Sequence, residues 1–309
     1  MHSTKSVPLT SKNSPGSLKF LLLACRPKTL SASITPVVVG AALAYHLGFR
    51  VELGIFFCTL FSALLIQVGT NLFNDALDFE KGADSHTRLG PLRATHMGWF
   101  TARQVKGAAV FCFLIAAIVA VPLVLRGGWP IVIVGVVSFS LGYLYTGGPR
   151  PLAYTGLGDL FVILFFGVVA VMGTDYLLTN RWLPDAFVAG IEVGALATVL
   201  LAINNFRDMI PDRAIGKMTL PARFGAGFAR GEIAALFGIA FGLLAYWPNE
   251  RFLLLLFAPS LILALVVILR VARAEPSEQM NRLLHLAALA QMTFGGALAI
   301  LLLCNRAVI

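Results

Sequence analysis

Two clusters of acidic and amide side chains contain the residues best suited to chemistry in this sequence. The first cluster comprises Asn71, Asn74, Asp75, Asp78 and Asp84, and the second comprises Asn204, Asp208 and Asp212. The spacing Asn-x-x-x-Asp occurs in both clusters, which indicates a weak internal repeat. We predict that the two clusters face each other across one site.

Each cluster follows a long apolar segment, so its acids lie at the C-terminal end of a predicted helix. There the helix macrodipole is negative and neighbouring carboxylates repel each other, so a cation must compensate. Oxygen ligands from Asp and Asn, without cysteine or converging histidine, favour Mg²⁺ over zinc or copper. Mg²⁺ usually completes its coordination with water and substrate phosphate. The pattern predicts that all eight residues hold Mg²⁺ and a diphosphate, with Asp75, Asp78, Asp208 and Asp212 as the catalytic carboxylates.

A further set of polar residues on the same side of the chain is predicted to bind the substrate. Four of them are cations in the loops after the clusters, which supply positive charge for a phosphate. A tyrosine and an aspartate flank a turn on the same face. Two cations near the first apolar segment are either snorkelling anchors or ligands of the substrate. The set is Arg88, Arg93, Lys217, Arg223, Tyr145, Asp159, Arg26 and Lys28.

The segments that must position these residues are long and apolar. The chain of 309 residues is 58% hydrophobic and only 13% charged, far more apolar than an average soluble domain. A bilayer core is crossed by roughly 20 apolar residues, and nine runs of that kind are present. They lie at approximately 20–46, 52–73, 105–125, 129–145, 157–178, 184–206, 228–247, 252–270 and 283–304. The predicted fold is all-α, a polytopic membrane bundle of nine transmembrane helices around a central cavity.

The domain organisation and topology follow from the polar segments. Residues 1–17, rich in Ser, Thr, Lys and Pro, are predicted to be a flexible tail, and 18–309 a single membrane domain. Nineteen of the 24 Lys and Arg residues fall on the side of the N-terminus and five on the other. The positive-inside rule therefore predicts a multi-pass protein with the N-terminus and the site on the cytoplasmic side, and we expect the membrane to be a bacterial-type inner membrane. We expect the lipid bilayer as a partner and no nucleic acid, because no nucleic-acid motif accompanies the net charge of +9.

Three other interpretations compete with a catalytic site. The acids of a single cluster could be solvated loop charges neutralised by nearby cations, but two clusters with one core spacing favour a site. A secondary transporter also carries repeated acids, although its coupling acids are expected near the bilayer midplane and not at one rim. A structural scaffold gives no reason to concentrate acids and amides at two helix ends.

These motifs resemble those of the UbiA-type superfamily of intramembrane prenyltransferases, over nearly the whole chain. Asn74-Asp75-x-x-Asp78 is similar to the first Asp-rich motif of that family, and Asp208-x-x-x-Asp212 is similar to the second. The family often has another Asp four positions after the first motif, where this chain has Gly82. Other stretches resemble the branch that prenylates 1,4-dihydroxy-2-naphthoate. They are Arg26-Pro-Lys-Thr-Leu, Gly90-Pro-Leu-Arg93-Ala, Tyr145-Thr-Gly-Gly-Pro-Arg150-Pro, Gly156-Leu-Gly158-Asp159 and Asn204-Asn-Phe-Arg207-Asp208.

The resemblance implies nine transmembrane helices and a Mg²⁺-dependent transferase. It implies that a polyprenyl diphosphate ionises at the clusters and alkylates 1,4-dihydroxy-2-naphthoate with loss of the carboxyl group, giving demethylmenaquinone. An apolar tunnel open to lipid would hold the prenyl chain, and Arg26 or Lys28 would bind the acceptor carboxylate. The alternatives within the superfamily are other acceptors, namely 4-hydroxybenzoate, haem or a chlorophyll precursor.

Overall fold

The structure, a computed structural model of the chain, describes residues 26–82, 89–90, 93–247 and 255–305. Within these ranges all regular secondary structure is helical. Asp84, Arg88 and the side chain of Lys28 lie outside the described residues, as does the N-terminal tail.

The fold is a bundle of long helices. They are α1 (Ser31–His46), α2 (Leu53–Glu80), α3 (Ala102–Val119), α4 (Trp129–Leu144), α5 (Gly158–Thr179), α6 (Pro184–Arg207), α7 (Ala226–Tyr246), α8 (Leu255–Arg273) and α9 (Met280–Cys304). Seven of them are long and apolar enough to cross a membrane, whereas α1 and α4 are apolar but contain only 16 residues each. The described residues therefore form a multi-pass membrane protein, and the number of nine spans stays a prediction.

Two helices differ from their predicted bounds because proline interrupts them. The first span was predicted over 20–46, but residues 27–29 form a 3-10 turn that begins with Pro27, and α1 starts at Ser31. The third span was predicted over 105–125, but α3 ends at Val119 and a separate short helix, Val121–Gly127, follows. Pro122 lies in its first turn, where proline lacks the N–H that a continuous helix would need. The third span is therefore present as α3, but it ends at Val119 and not near residue 125.

Helix α6 lies at the centre of the bundle, packed against α5, α7 and α9. Its contact with α5 is a backbone contact between glycines. A Cβ atom on Gly167 would lie 2.2 Å from the carbonyl oxygen of Gly190 and 2.5 Å from the Cα atom of Gly194. Small residues let helices approach closely where lipid provides no hydrophobic driving force, and residues Leu164–Val169 form a π-helical turn at this contact.

Helix α2 is longer than a bilayer requires. It contains 28 residues, which corresponds to about 42 Å at 1.5 Å per residue, whereas the hydrocarbon core is about 30 Å thick. The last two turns of α2, which carry Asp75 and Asp78, therefore extend beyond the apolar segment predicted at 52–73. This extension places the first acidic cluster at one end of the bundle.

Candidate active site

The structure brings the two acidic clusters together at one end of the bundle. Asp78 lies in the last turn of α2, and Asp208 directly follows α6. Asp212 lies in a short helix, Met209–Ala214, that begins directly after Asp208. The carboxyl groups of Asp78 and Asp212 are close enough to interact electrostatically, and both interact with the phenol of Tyr145. The predicted convergence of the clusters is therefore present.

Three of the predicted catalytic carboxylates are buried. The exposed fraction is 2% for Asp75, 6% for Asp78 and 6% for Asp212. The interpretation of these acids as solvated loop charges is therefore wrong for all three. A buried carboxylate is retained only where cations or hydrogen-bond donors compensate for its lost hydration, so each of these groups needs partners.

Cations from the neighbouring loops supply those partners. Oδ2 of Asp78 accepts a 2.6 Å hydrogen bond from Nη2 of Arg93, and both side chains are buried. Nζ of Lys217 lies 3.3 Å from Oδ1 of Asp212. In this structure, therefore, Arg93 and Lys217, which are predicted to bind the diphosphate, neutralise two carboxylates that are predicted to bind the metal.

Asp208 has a different partner from the other acids. Arg207 donates two hydrogen bonds to Asp208, from Nε to Oδ1 at 2.8 Å and from Nη2 to Oδ2 at 2.6 Å. The guanidinium also donates from Nη1 to Oδ1 of Asn281 at 2.6 Å, and the amide of Asn281 donates to the carbonyl of Leu89 at 2.9 Å. This chain of contacts ties the second cluster to α9 and to the loop after the first cluster.

Two carboxyl oxygens of the acidic clusters are suited to a divalent cation. Among the residues that the structure describes, Oδ1 of Asp78 and Oδ2 of Asp212 are buried without a hydrogen-bond partner, as is Oδ1 of Asp159 outside the clusters. Burial raises the pKa of Asp212 to about 6, opposed by Lys217 and reinforced by the carboxylates of Asp208 and Asp78. Hard oxygen donors in an acidic, desolvated setting fit Mg²⁺.

The full predicted ligand set is not assembled around one point. In the described part of the chain, no three His, Cys, Asp or Glu side chains are arranged to hold a metal ion. The physical reason is the pairing above, because Asp78, Asp208 and Asp212 each face a cation and not another carboxylate. The eight metal ligands therefore stay a prediction.

The amides and Asp75 contact protein groups. Nδ2 of Asn71 donates to the hydroxyl of Thr29 at 3.4 Å, and Oδ1 of Asn74 accepts from the hydroxyl of Thr146 at 2.6 Å. Asn204 is half-buried in the last turn of α6. Asp75 points toward residues 94 and 95 of the loop and accepts hydrogen bonds on both of its oxygens.

The remaining predicted substrate ligands divide into two groups. Arg26, Tyr145 and Asp159 belong to the site, since the phenol of Tyr145 interacts electrostatically with the other two. Arg26 has a left-handed backbone with φ of 51°, a conformation that costs free energy for a non-glycine residue. Arg223 is exposed and donates to the carbonyl of Thr155 at 3.2 Å, so the contacts at the site do not include it.

Sequence reasoning missed several residues of the site. Asn281 connects the second cluster to the loop, and Thr95 contacts Asp75. Glu232 of α7 lies within electrostatic range of Asp159. A single amide, hydroxyl or carboxyl group in an ordinary helix gives no spacing signal, so only the packing of distant segments reveals these three.

An apolar cavity of about 370 Å³ lies next to the clusters inside the bundle. Gln67 and Thr70, which lie within about one turn of Asn71 on α2, line it together with Tyr145, and Thr59, Ala120 and Leu177 line its far part. Most of its wall is formed by aliphatic and phenylalanine side chains. The arrangement can hold a long apolar chain with a charged group at its acidic end.

Comparisons with known proteins agree with this geometry. Residues 33–301 of the chain match the sequence pattern of the UbiA prenyltransferase family. The chain is 37% identical over 217 residues to a 1,4-dihydroxy-2-naphthoate octaprenyltransferase of Escherichia coli, covering 68% of this chain and 70% of that protein. It is 34% identical to the protein of the same name from Bacillus subtilis, covering 70% of this chain and 69% of the relative.

Solved structures show the same fold. A UbiA homologue from Archaeoglobus fulgidus bound to DMAPP and Mg²⁺ superposes with a TM-score of 0.63 at 17% identity, covering 91% of this chain and 99% of that one. The apo structure of a UbiA homologue from Aeropyrum pernix K1 has a TM-score of 0.68 at 16% identity, covering 88% and 97%.

Proposed function

Because the chain belongs to the UbiA prenyltransferase family, we propose that it transfers a polyprenyl group from an allylic diphosphate to 1,4-dihydroxy-2-naphthoate. The carboxyl group leaves as CO₂, diphosphate is released, and the product is demethylmenaquinol, the quinol form of demethylmenaquinone. The names of the two bacterial relatives support this acceptor and a polyprenyl donor. The observation that carries the proposal is the pair of acidic clusters beside an apolar cavity, with Asp75, Asp78 and Asp212 buried.

The charged residues bind the diphosphate and stabilise its departure. Asp78 and Asp212 are the proposed metal ligands with a free buried oxygen each, and the Mg²⁺-bound homologue supports the choice of metal. Mg²⁺ held there would neutralise the diphosphate and make it a better leaving group. Arg93 and Lys217, which now neutralise the two carboxylates, would turn to the phosphate oxygens. Fixed charges aimed at a leaving group in a site that excludes water are an effective form of catalysis.

The cavity and its rim position the two carbon atoms that form the new bond. Its apolar wall would hold the prenyl chain and keep water from the allylic cation. Tyr145 lines the cavity next to the clusters. Arg26 lies near Asp78 and Tyr145 and is proposed to bind the acceptor carboxylate, which orients the ring toward the allylic carbon.

The proposal also places the N-terminus and the acidic clusters on the cytoplasmic side of the membrane. The distribution of Lys and Arg supports a cytoplasmic N-terminus, and the clusters lie on the N-terminal side of that count. In a chain whose four native cysteines are replaced by serine, single cysteines placed at Glu80 and at Glu52, the exposed ends of α2, test it by labelling in intact and in broken cells. Only the cysteine at 52 should react with an impermeant maleimide in intact cells, and the reverse result contradicts the topology.

The experiment that tests the function uses the purified protein in nanodiscs. It is incubated with 1,4-dihydroxy-2-naphthoate and allylic diphosphates of several chain lengths, with Mg²⁺ or with EDTA, and the product is identified by mass spectrometry. 4-Hydroxybenzoate is tested in parallel as a competing acceptor. We expect a decarboxylated, prenylated naphthoquinol only with Mg²⁺.

Two variants of α2 provide the matched control. Asp78→Asn removes a buried carboxylate of the site, whereas Glu80→Gln removes an exposed one that pairs with Lys106. Product should disappear with Asp78→Asn and persist with Glu80→Gln. Absence of product with every donor, or full activity of Asp78→Asn, contradicts the proposed function.

A further inference from the structure

We infer that Asp75 is a positioning residue, which holds the loop so that Arg93 reaches the diphosphate site, and that it is not a metal ligand. The inference rests on the proposed function, because it assigns a role within the same site. It separates Asp75 from Asp78, although both belong to one acidic motif and both are buried on α2.

The carboxylate of Asp75 is occupied by the loop. Its Oδ2 accepts from the backbone N–H of Ala94 at 2.9 Å. Its Oδ1 accepts from the backbone N–H of Thr95 at 3.3 Å and also from the hydroxyl of Thr95. Both oxygens therefore already receive donors that are themselves buried, and a metal ion that displaced the loop would leave those donors unpaired.

The acids that fit a metal differ from Asp75 in this respect. Within the described residues, Asp78 and Asp212 each keep one buried oxygen without a hydrogen-bond partner. Their cation partners are side chains, which can move to a phosphate. The partners of Asp75 are mainly backbone N–H groups, which cannot leave without moving the loop.

The contact with Asp75 determines where Arg93 lies. Ala94 N is the peptide nitrogen that directly follows Arg93, so fixing it fixes the backbone of Arg93. From there the side chain returns to α2, where Nη1 donates to the carbonyl of Asn74 at 3.3 Å and Nη2 to Asp78 at 2.6 Å. Asp75 therefore anchors the backbone on the helix that the guanidinium contacts.

Backbone hydrogen bonds continue beyond this anchor, in the described residues that follow Arg93. The carbonyl of Arg93 accepts from the N–H of Met97 at 3.0 Å, and that of Ala94 accepts from the N–H of Trp99 at 3.0 Å. A guanidinium held by such a turn loses little conformational entropy when it forms a bidentate pair with a phosphate. Loss of the anchor would therefore weaken diphosphate binding without removing a metal ligand.

The test measures metal and diphosphate binding separately, without turnover. The detergent-purified full chain is titrated with Mn²⁺, followed by electron paramagnetic resonance, and with geranyl S-thiolodiphosphate, an allylic diphosphate analogue that does not ionise readily. The variants are Asp75→Asn, Arg93→Gln and Asp78→Asn. Thr95→Val removes one donor to Asp75, and Thr95→Ser, which retains the hydroxyl, is its matched control.

We expect Arg93→Gln to weaken binding of the analogue about tenfold to a hundredfold, the range for losing a charged hydrogen bond. Asp75→Asn should weaken it in the same range while Mn²⁺ affinity stays within about twofold of the unmodified chain. Thr95→Val should show a smaller loss of the same kind, which Thr95→Ser restores. Asp78→Asn should lose Mn²⁺ binding.

A double variant tests whether Asp75 affects binding of the analogue through Arg93. If Asp75 acts through Arg93, adding Asp75→Asn to Arg93→Gln weakens analogue binding by less than about twofold more. Multiplicative losses, or a loss of Mn²⁺ binding in Asp75→Asn equal to that in Asp78→Asn, overturn the inference. If Asp75→Asn fails to fold, the comparison of Thr95→Val with Thr95→Ser tests the inference by itself. Equal affinity of these two variants for the analogue overturns the inference. Failure of the unmodified chain to bind the analogue with Mn²⁺ overturns the proposed function instead.

Discussion

Removing the carboxylate of Asp78 should destabilise the metal-free protein far more than removing the nearby carboxylate of Glu80. Both acids lie in the last turn of α2 and form ion pairs of similar length, 2.6 Å with Arg93 and 2.7 Å with Lys106. The pairs differ in exposure, which is 8% for both side chains of the first and 36% and 42% for those of the second. Breaking a buried pair costs about 3–5 kcal/mol, because the remaining charge stays desolvated, whereas an exposed pair contributes about 0–1 kcal/mol.

The free energy of unfolding of both variants is measured with EDTA present, in mixed micelles with an increasing fraction of SDS, by circular dichroism. We expect Asp78→Asn to lower it by at least about 2 kcal/mol more than Glu80→Gln. Equal losses would refute the claim that burial makes the Asp78 pair important. A second comparison uses Arg93→Gln, which leaves the Asp78 charge in place. Mg²⁺ should stabilise Arg93→Gln and not Asp78→Asn, because a ligand stabilises only the folded state that binds it.

Three further predictions concern the site, the bundle and the cavity. Burial raises the pKa of Asp212 to about 6, so the carboxyl is neutral below that pH; Mn²⁺ affinity should fall as the pH drops from about 7 to about 5, and Asp212→Asn should flatten that dependence. Gly167→Ala places a Cβ atom 2.2 Å from the carbonyl of Gly190, whereas a Cβ atom on Gly173 of the same helix meets no atom within 4 Å. Thermal unfolding should show a loss of about 1–3 kcal/mol for Gly167→Ala and none for Gly173→Ala, and equal stabilities would contradict the close contact. Ala63 lines the cavity, so Ala63→Phe should shorten the longest donor accepted in a competition assay; an unchanged product profile would contradict the assignment of the cavity to the prenyl chain.

Hydropathy was sufficient to predict the helical membrane fold, because apolar runs of bilayer length have few other solutions. It failed where single residues changed the backbone locally. Pro122 begins a new helix after α3, and α1 begins only after the turn at Pro27. Both prolines were visible in the sequence, but the length of the apolar run dominated the prediction.

The acidic clusters could be found from spacing, but the individual roles of their members could not. Asp75 and Asp78 have the same residue type and lie three positions apart, yet one faces the loop and the other faces Arg93. Which one faces the loop depends on how the chain returns after α2. The contact of Arg207 with Asn281 was likewise hidden, since it joins the end of α6 to the start of α9.

The central claim is that both acidic clusters hold one diphosphate through a divalent cation at the end of the apolar cavity. It is tested most directly by an experimental structure of the protein with Mn²⁺ and an allylic thiolodiphosphate, with Mn²⁺ located by its anomalous scattering. We expect metal within about 2.0–2.3 Å of a carboxyl oxygen of Asp78 and of Asp212, and the prenyl chain in the cavity. Metal bound by one cluster alone, or a diphosphate away from both, would contradict the account.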